Sequence, residues 1–174
     1  MALETETDTG RSLAYSAGAT ALFLSAAAIA TALAFQYVGG YVPCPLCSMQ
    51  RYAYYAAIPA LFIALMLVSG GHRGWPVTLF FLVALAFLAN AGLGVYHAGA
   101  EWKYWPGPAS CGTEQALTGS AGNLLKDLEH TTVVRCDEAQ WRLFGLSFAG
   151  WNVLSSLAIF ALALRAAFAV SEPR

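Results

Sequence analysis

Four long stretches without a charged side chain alternate with short polar segments along this chain, at 13–37, 52–71, 74–100 and 143–164. A helix that crosses a membrane needs about 20 mostly apolar residues, and each of the four stretches is long enough. None of them carries the continuous polar stripe of an amphipathic helix in a soluble bundle. The pattern therefore predicts an all-α fold, a membrane four-helix bundle.

The polar segments between these stretches define the topology of the predicted bundle. We expect a single integral membrane domain over 1–174, with spans at 13–37, 48–69, 75–98 and 144–165 and loops at 38–47 and 98–143. Four spans place both tails and the 69–75 turn on one side of the membrane and both loops on the other. In the long second loop, the pattern GNLLKDLEH at 122–130 indicates a short amphipathic helix on the membrane surface.

The composition also indicates a lipid environment. Of the residues, 58% are hydrophobic and 11% are charged, whereas soluble domains carry about 25% charged residues. A net charge of −1 without a basic cluster argues against a nucleic-acid partner. The flank 1–12 is acidic, and the apolar run after it exceeds the roughly 7–15 residues of a signal-peptide core. We therefore expect the first span to be retained.

All the cysteines lie in the two predicted loops: Cys44, Cys47, Cys111 and Cys136. Disulfides persist outside the cytoplasm, and the short tail-side segments are denser in arginine, as cytoplasmic segments are under the positive-inside rule. We therefore expect cytoplasmic tails and periplasmic loops. Of the 8 Tyr and 5 Trp, only Tyr15 and Trp75 lie near the tail side. This asymmetry indicates a ring-shaped ligand or a docking partner at the cysteine side.

The motif CPLC at 44–47 places two thiols at the start of the second span. Proline favours an extended conformation for the residue before it and suits the first helical position, so Cys44 becomes the N-cap and Cys47 falls in the first turn. The free N–H groups and partial positive charge of a helix start stabilise a thiolate, which we predict at Cys47. Arg51 is four residues further on, lies on the same helix face as Cys47 and adds a positive charge.

Other interpretations of these residues stay open from the residues alone. Cys44 and Cys47 form either a redox pair or an inert disulfide, although so short a loop gains little stability from closure. Cys111 and Cys136 form a structural staple of the long loop or a second redox pair that exchanges with the first. Arg51 belongs to the site or is an interfacial arginine. No metal site is predicted, because a four-cysteine zinc site is disfavoured by a second pair without C-x-x-C spacing.

Three motifs together resemble the DsbB family of disulfide bond formation proteins: CPLCSMQR at 44–51, YHAGAEWKYWPGPASC at 96–111 and CDEAQWRLFGLSFAGWN at 136–152. The resemblance covers most of the chain, from the first span to the fourth. It implies a quinone-dependent thiol oxidoreductase of the bacterial inner membrane, which reoxidises a DsbA-like periplasmic thioredoxin-fold protein and so sustains disulfide bond formation. The cofactor it implies is ubiquinone or menaquinone.

The resemblance further implies an order of thiol exchange among the four cysteines. The reduced partner attacks a Cys111–Cys136 disulfide at Cys111, and the released Cys136 exchanges with Cys44. Cys47 is thereby freed beside the quinone and passes on the electrons. All four cysteines are catalytic residues in this scheme.

The cofactor contacts implied by the resemblance are Cys47, Arg51 and His97. For His97 the sequence does not distinguish a quinone contact from a structural interfacial histidine. Two other classes of function compete with this reading. A vitamin K epoxide reductase-like enzyme has its C-x-x-C late in the chain, unlike this sequence. A non-catalytic four-span scaffold with two structural disulfides remains the main alternative, and trapping of a thiol partner distinguishes it from a relay.

Overall fold

The computed structural model describes residues 2–107 and 136–171, with side chains from residue 9 onward. Four helices dominate the described part: α1 (Ala2–Tyr37), α2 (Pro45–Ser69), α3 (Gly74–Glu101) and α4 (Phe148–Ser171). All four are long and apolar enough to cross a membrane, so the chain is a multi-pass membrane protein. The predicted all-α four-helix membrane bundle is confirmed. Cys111 and the amphipathic pattern at 122–130 lie outside the described residues.

The helices form a ring in which each packs against its neighbours in sequence, and α4 closes the ring against α1. α2 and α4 lie on a diagonal and meet over only a short stretch. Short connections between α1 and α2 and between α2 and α3 make these neighbours antiparallel. The tail-side end is closed by the Arg11 guanidinium, which donates to the carbonyl of Ser69. The 38–44 loop and the segment after Cys136 therefore share the opposite end.

The middle of the bundle packs through large apolar side chains, with Leu61, Phe80, Phe87 and Ile159 fully buried. Between helices in a membrane, close packing and hydrogen bonds replace the hydrophobic effect as the source of association. One buried polar network supplies such bonds: the Tyr54 hydroxyl lies 2.8 Å from Asn152 Oδ1 and 2.7 Å from Ser155 Oγ. In the same network the Asn90 amide donates to Ser156 Oγ at 3.0 Å. The network fastens α2, α3 and α4 together directly below the cysteine end.

A short hairpin precedes α4, and the sequence pattern did not reveal it. Two strands, β1 (Arg142–Leu143) and β2 (Leu146–Ser147), pair antiparallel. Between them Phe144 has φ 52° and Gly145 has φ 82°, the two left-handed residues of a tight two-residue turn. α4 therefore begins at Phe148, and the expected start of the fourth span at 144 is corrected. Apolar composition alone does not separate a hydrophobic hairpin from the helix that continues it.

Candidate thiol redox site

Cys44 is the N-cap of α2, as the sequence predicts. Its backbone is extended, with φ −72° and ψ 164°, and Pro45 takes the first helical position. The backbone N–H of Cys47 donates to Cys44 Sγ at 3.2 Å. A sulfur atom thus occupies the place that a serine or aspartate oxygen takes in an ordinary helix cap.

Both thiols of this pair are free, and their sulfur atoms lie 2.9 Å apart. One proton is shared between them, with the Cys47 thiol donating to a Cys44 thiolate. This hydrogen bond, opposed by burial and assisted by His97, lowers the pKa of Cys44 to about 5. The expectation of a stabilised thiolate at Cys47 is therefore corrected for the reduced pair. The cap side chain turns back toward the free N–H groups of the helix, whereas a first-turn side chain projects away from them.

His97 lies beside this pair and is 2% exposed. Its Nε2 is 3.7 Å from Cys44 Sγ, and its Nδ1 is 3.2 Å from the Gln50 side-chain amide. On the other side, Nε2 is 3.8 Å from Glu101 Oε1. The imidazole therefore stands between a thiolate and a carboxyl group and is able to donate a proton to either one.

Glu101 places a buried carboxyl group at the same end of the bundle. Ser147 of the hairpin is its hydrogen-bond partner, and the positive charge of Arg142 is near. Among the described residues its Oε2 atom has no hydrogen-bond partner although it is buried. Because an unsatisfied buried oxygen is costly, this atom points to a ligand or a proton that the carboxyl group receives during function.

Arg51 is held by α1 rather than by the sulfur atoms. Its guanidinium donates to Gln36 Oε1 and, at 3.4 Å, to the carbonyl of Ala32. In the part of the chain that the structure describes, these are its hydrogen-bond partners. Arg51 and Cys47 nevertheless line the same cavity, so their common orientation agrees with their spacing of one helical turn.

A cavity of about 490 Å³ opens at the cysteine end, lined by residues of all four helices and of the loop segments. The polar part of its wall includes the site residues and their neighbours: Gln36, Cys44, Cys47, Gln50, Arg51, His97 and Glu101. Its aromatic part includes Phe35, Trp141 and Phe148, and the Trp141 and Phe148 rings stack with centroids 4.9 Å apart. The volume is that of a small-molecule site, and the few polar groups are in a mostly apolar wall.

Cys136 lies beside the first cysteine pair. It is disulfide-bonded and 1% exposed. It packs in one buried cluster with Cys44 and Leu46. Close by, the Gln140 side-chain amide donates to the carbonyl of Val42 at 3.1 Å and fastens the two loop segments together. Cys44 and Cys47 are free, so neither is the disulfide partner of Cys136.

Two polar residues of the site were not singled out from the sequence: Gln36 and Glu101. Each left a signal. Gln36 is a lone amide near the end of the first apolar stretch. Glu101 follows His97 by four residues, so the two side chains share one face of α3. Polar and ionisable residues are rare within membrane-spanning helices, so each of them is a candidate for a functional role.

The shifted pKa of Cys44 gives a pH titration that checks the cap geometry. In reduced protein with alanine at positions 111 and 136, we expect thiolate ultraviolet absorbance to rise with a midpoint near pH 5, not near the ordinary 9.0. Because the pKa is lowered, the thiolate is present above this midpoint and protonated below it. Cys47→Ala removes the largest stabilising hydrogen bond and moves the midpoint upward. A midpoint near 9 in the parent protein would show that Cys44 lacks the cap environment.

Comparison with known proteins shows the family of this chain. The family model described as "Disulfide bond formation protein DsbB" matches residues 15–166. Disulfide bond formation protein B of Verminephrobacter eiseniae is 32% identical over 152 residues, covering 80% of this chain and 79% of that protein. The protein of the same name from Paracidovorax citrulli is 34% identical over 158 residues, covering 82% and 85%. No solved structure matches the chain. With four membrane helices, a free thiol pair at the start of the second and a match over most of its length, this chain belongs to the DsbB family of disulfide bond formation proteins.

Proposed function

We propose that this protein reoxidises a DsbA-like thioredoxin-fold protein by passing two electrons through its two cysteine pairs to a membrane quinone. The observation that carries the proposal is the position of the Cys44 and Cys47 thiols on the wall of a cavity at the end of a membrane bundle, beside the buried Cys136. A thiol pair at that place meets a lipid-soluble oxidant on one side and a second thiol pair on the other. The cysteine loops are periplasmic and the membrane is the bacterial inner membrane in this proposal.

The exchange begins at the long loop. A thiolate of the reduced partner attacks a Cys111–Cys136 disulfide at Cys111, which forms a mixed disulfide and releases Cys136. The Cys136 thiolate then attacks Cys44 of the oxidised first pair and releases Cys47 as a thiolate. The packing of Cys136 with Cys44 and Leu46 supports this choice of target sulfur. Exchange requires only a thiolate and access to the sulfur it attacks.

The direction of electron flow follows from the partner. A DsbA-type protein is itself strongly oxidising, at about −120 mV, so its reoxidation needs a stronger terminal acceptor. The aromatic wall and the apolar face of α1 fit a quinone ring and its hydrocarbon tail, and Arg51 and His97 are the polar groups that would hold the ring oxygens. When bound, ubiquinone or menaquinone supplies a two-electron acceptor. Over the whole cycle the partner dithiol loses two electrons and two protons, which the quinone gains.

The buried polar groups handle the protons in this proposal. His97 Nε2 is within 3.8 Å of both Cys44 Sγ and Glu101 Oε1, so the imidazole donates its Nε2 proton to the carboxylate and takes up a replacement from the thiol pair. Glu101 lines the cavity, and its Oε2 has no hydrogen-bond partner in the described part of the chain. The carboxyl group is therefore able to deliver that proton into the cavity.

Trapping of the partner tests the relay. In Cys136→Ala, Cys111 keeps its thiol but loses its resolving cysteine. Its thiolate attacks the disulfide of the oxidised partner and displaces one partner thiolate, so we expect a covalent complex with a soluble thioredoxin-fold protein that reductant releases. Non-reducing gels and mass spectrometry of the complex provide the measurement. Purified protein with reduced partner and either ubiquinone or menaquinone analogues then identifies the cofactor.

The matched control is Cys111→Ala, which removes the attacked sulfur and should capture nothing. A scaffold with structural disulfides would capture no partner with either variant. That result, or equal capture by both, would count against the proposed relay.

A further inference from the structure

We propose that the reduced thiols of Cys44 and Cys47, together with His97, form a binding site for one zinc ion. The two sulfur atoms and an imidazole nitrogen lie within 4.8 Å of one another, and both Cys44 and His97 are buried. From the sequence alone, the only candidate zinc site had the four cysteines as its ligands. Folding supplies a different third ligand, because α3 brings a histidine to Cys44, which lies 53 residues before it in the chain.

The distances suit a tetrahedral ion after one small movement. Zinc with Zn–S bonds of about 2.3 Å and a Zn–N bond of about 2.0 Å holds two sulfur ligands roughly 3.8 Å apart, and a sulfur and a nitrogen roughly 3.5 Å apart. Cys44 Sγ and His97 Nε2 already stand at 3.7 Å. The two sulfur atoms, now 2.9 Å apart, must separate by about 0.9 Å. Loss of both protons favours this separation, because two thiolates repel each other until a cation lies between them.

The surroundings of His97 are those of a metal ligand. A ligating histidine has one ring nitrogen on the metal and the other held by a neighbouring polar group, which fixes the orientation of the ring. Gln50 is buried and contacts Nδ1 at 3.2 Å, which leaves Nε2 directed at Cys44. The amide of Gln50 accepts from a protonated Nδ1 once its oxygen replaces its nitrogen by rotation about the terminal bond.

Glu101 completes the site. Its Oε1 is 3.8 Å from His97 Nε2, and its buried Oε2 has no hydrogen-bond partner among the described residues. A carboxylate is a recognised zinc ligand, so a rotation of this side chain fills the fourth position with an oxygen. The negative charge also favours a cation at this place over an empty site.

The binding is an acid–base step without electron transfer. Zinc displaces two thiol protons and forms two Zn–S bonds, and the oxidation state of each sulfur is unchanged. While both sulfur atoms ligate the ion they are unable to form a disulfide, so the ion binds the reduced pair and not the oxidised one. Zinc binding does not depend on the proposed function. Inhibition of turnover by zinc follows from the same site and does depend on it.

Cobalt(II) is the probe for this site, because its thiolate complexes absorb where zinc complexes do not. The full chain in detergent micelles, reduced under anaerobic conditions and carrying alanine at 111 and 136, leaves only the two thiols in question. We expect one Co²⁺ per chain, a thiolate-to-cobalt charge-transfer band, the intense visible bands of tetrahedral coordination and loss of both when Zn²⁺ is added. The same protein after oxidation of Cys44 and Cys47 should show no band.

Single substitutions assign the ligands. Cys44→Ser keeps a helix-capping side chain and so preserves the fold, but should abolish the charge-transfer band. His97→Ala should weaken Co²⁺ binding at least tenfold. Gln50→Leu should weaken it by roughly 10- to 100-fold, the usual loss when the hydrogen-bond partner of a ligating histidine is removed. His72→Ala is the matched control, since this histidine lies in the turn at the opposite end of the bundle and should leave binding unchanged.

Two results would overturn the site: a reduced protein that gives no cobalt band, and a band that survives both Cys44→Ser and His97→Ala. A turnover assay separates this proposal from the relay. Zinc should stop turnover of the intact protein and a chelator should restore it. If zinc binds as described and turnover continues unchanged, the site stands and the electron route through Cys44 and Cys47 is wrong.

Discussion

Cys47→Ser abolishes quinone-dependent turnover while the long loop still reacts with the thioredoxin-fold partner. Serine is similar in size to cysteine and leaves the backbone N–H bond to Cys44 Sγ in place, so the helix start is retained. It is unable to form a disulfide with Cys44, and the electrons then have no route from the sulfur atoms to the cavity. We expect turnover to fall to background, and the mixed disulfide with the partner to form as in the parent.

The measurement is quinone reduction by purified protein supplied with reduced partner, with the mixed disulfide followed on non-reducing gels. Ser48→Ala is the matched control, because it changes the next residue of the same helix turn, whose hydroxyl contacts only the Cys44 carbonyl among the described residues. We expect it to keep most of the turnover. Normal turnover in Cys47→Ser would refute the electron route.

Arg51→Ala weakens the interaction with the quinone. The guanidinium lines the cavity with Cys47 and is held against α1 by Gln36 and Ala32. A hydrogen bond that involves a charged group contributes about 1.5–3 kcal/mol, which corresponds to roughly 10- to 150-fold in an equilibrium constant. We expect the Michaelis constant for quinone to rise at least about tenfold, with a lower maximal rate because the cation no longer stabilises developing negative charge.

The kinetics are measured over a range of quinone concentrations at saturating partner. Arg51→Lys keeps the charge but lacks the planar guanidinium group. Its Michaelis constant for quinone should therefore lie between those of Arg51→Ala and the parent. Arg165→Ala removes an exposed arginine of α4 on the tail side and serves as the control. Unchanged kinetics in Arg51→Ala would remove this residue from the cofactor site.

The sequence predicted the parts of the structure that depend on local chemistry. Absence of charge over whole stretches is enough to identify membrane helices, because the hydrocarbon core excludes unpaired charges regardless of tertiary contacts. The cap at Cys44 was predictable for a similar reason, since the proline that follows restricts the backbone of the cysteine itself. Both conclusions need only neighbours in the chain.

The parts that depend on long-range packing were not predictable in the same way. Which sulfur becomes the thiolate is decided by a hydrogen bond within the pair and by His97, a residue of another helix. Arg51 shares the cavity with Cys47 as its spacing indicates, but its partners are on α1. Residues 143–147 of the hairpin carry no charge and run directly into the uncharged start of the helix, so the absence of charge did not separate the two. Pairing of Glu101 with His97 was visible in their spacing, although only the fold shows that both are buried beside the thiols.

The sulfur at the start of α2 connects the oxidation state of the pair to the stability of a helix end. A thiolate is a strong acceptor for the Cys47 N–H, whereas a disulfide sulfur carries no charge and accepts weakly. Loss of a capping side chain costs a helix about 1 kcal/mol. Oxidation therefore exchanges the charged cap of the first helical turn for a covalent link between Cys44 and Cys47, and reduction restores the cap, so the end of the helix at the mouth of the cavity is held differently in the two redox states.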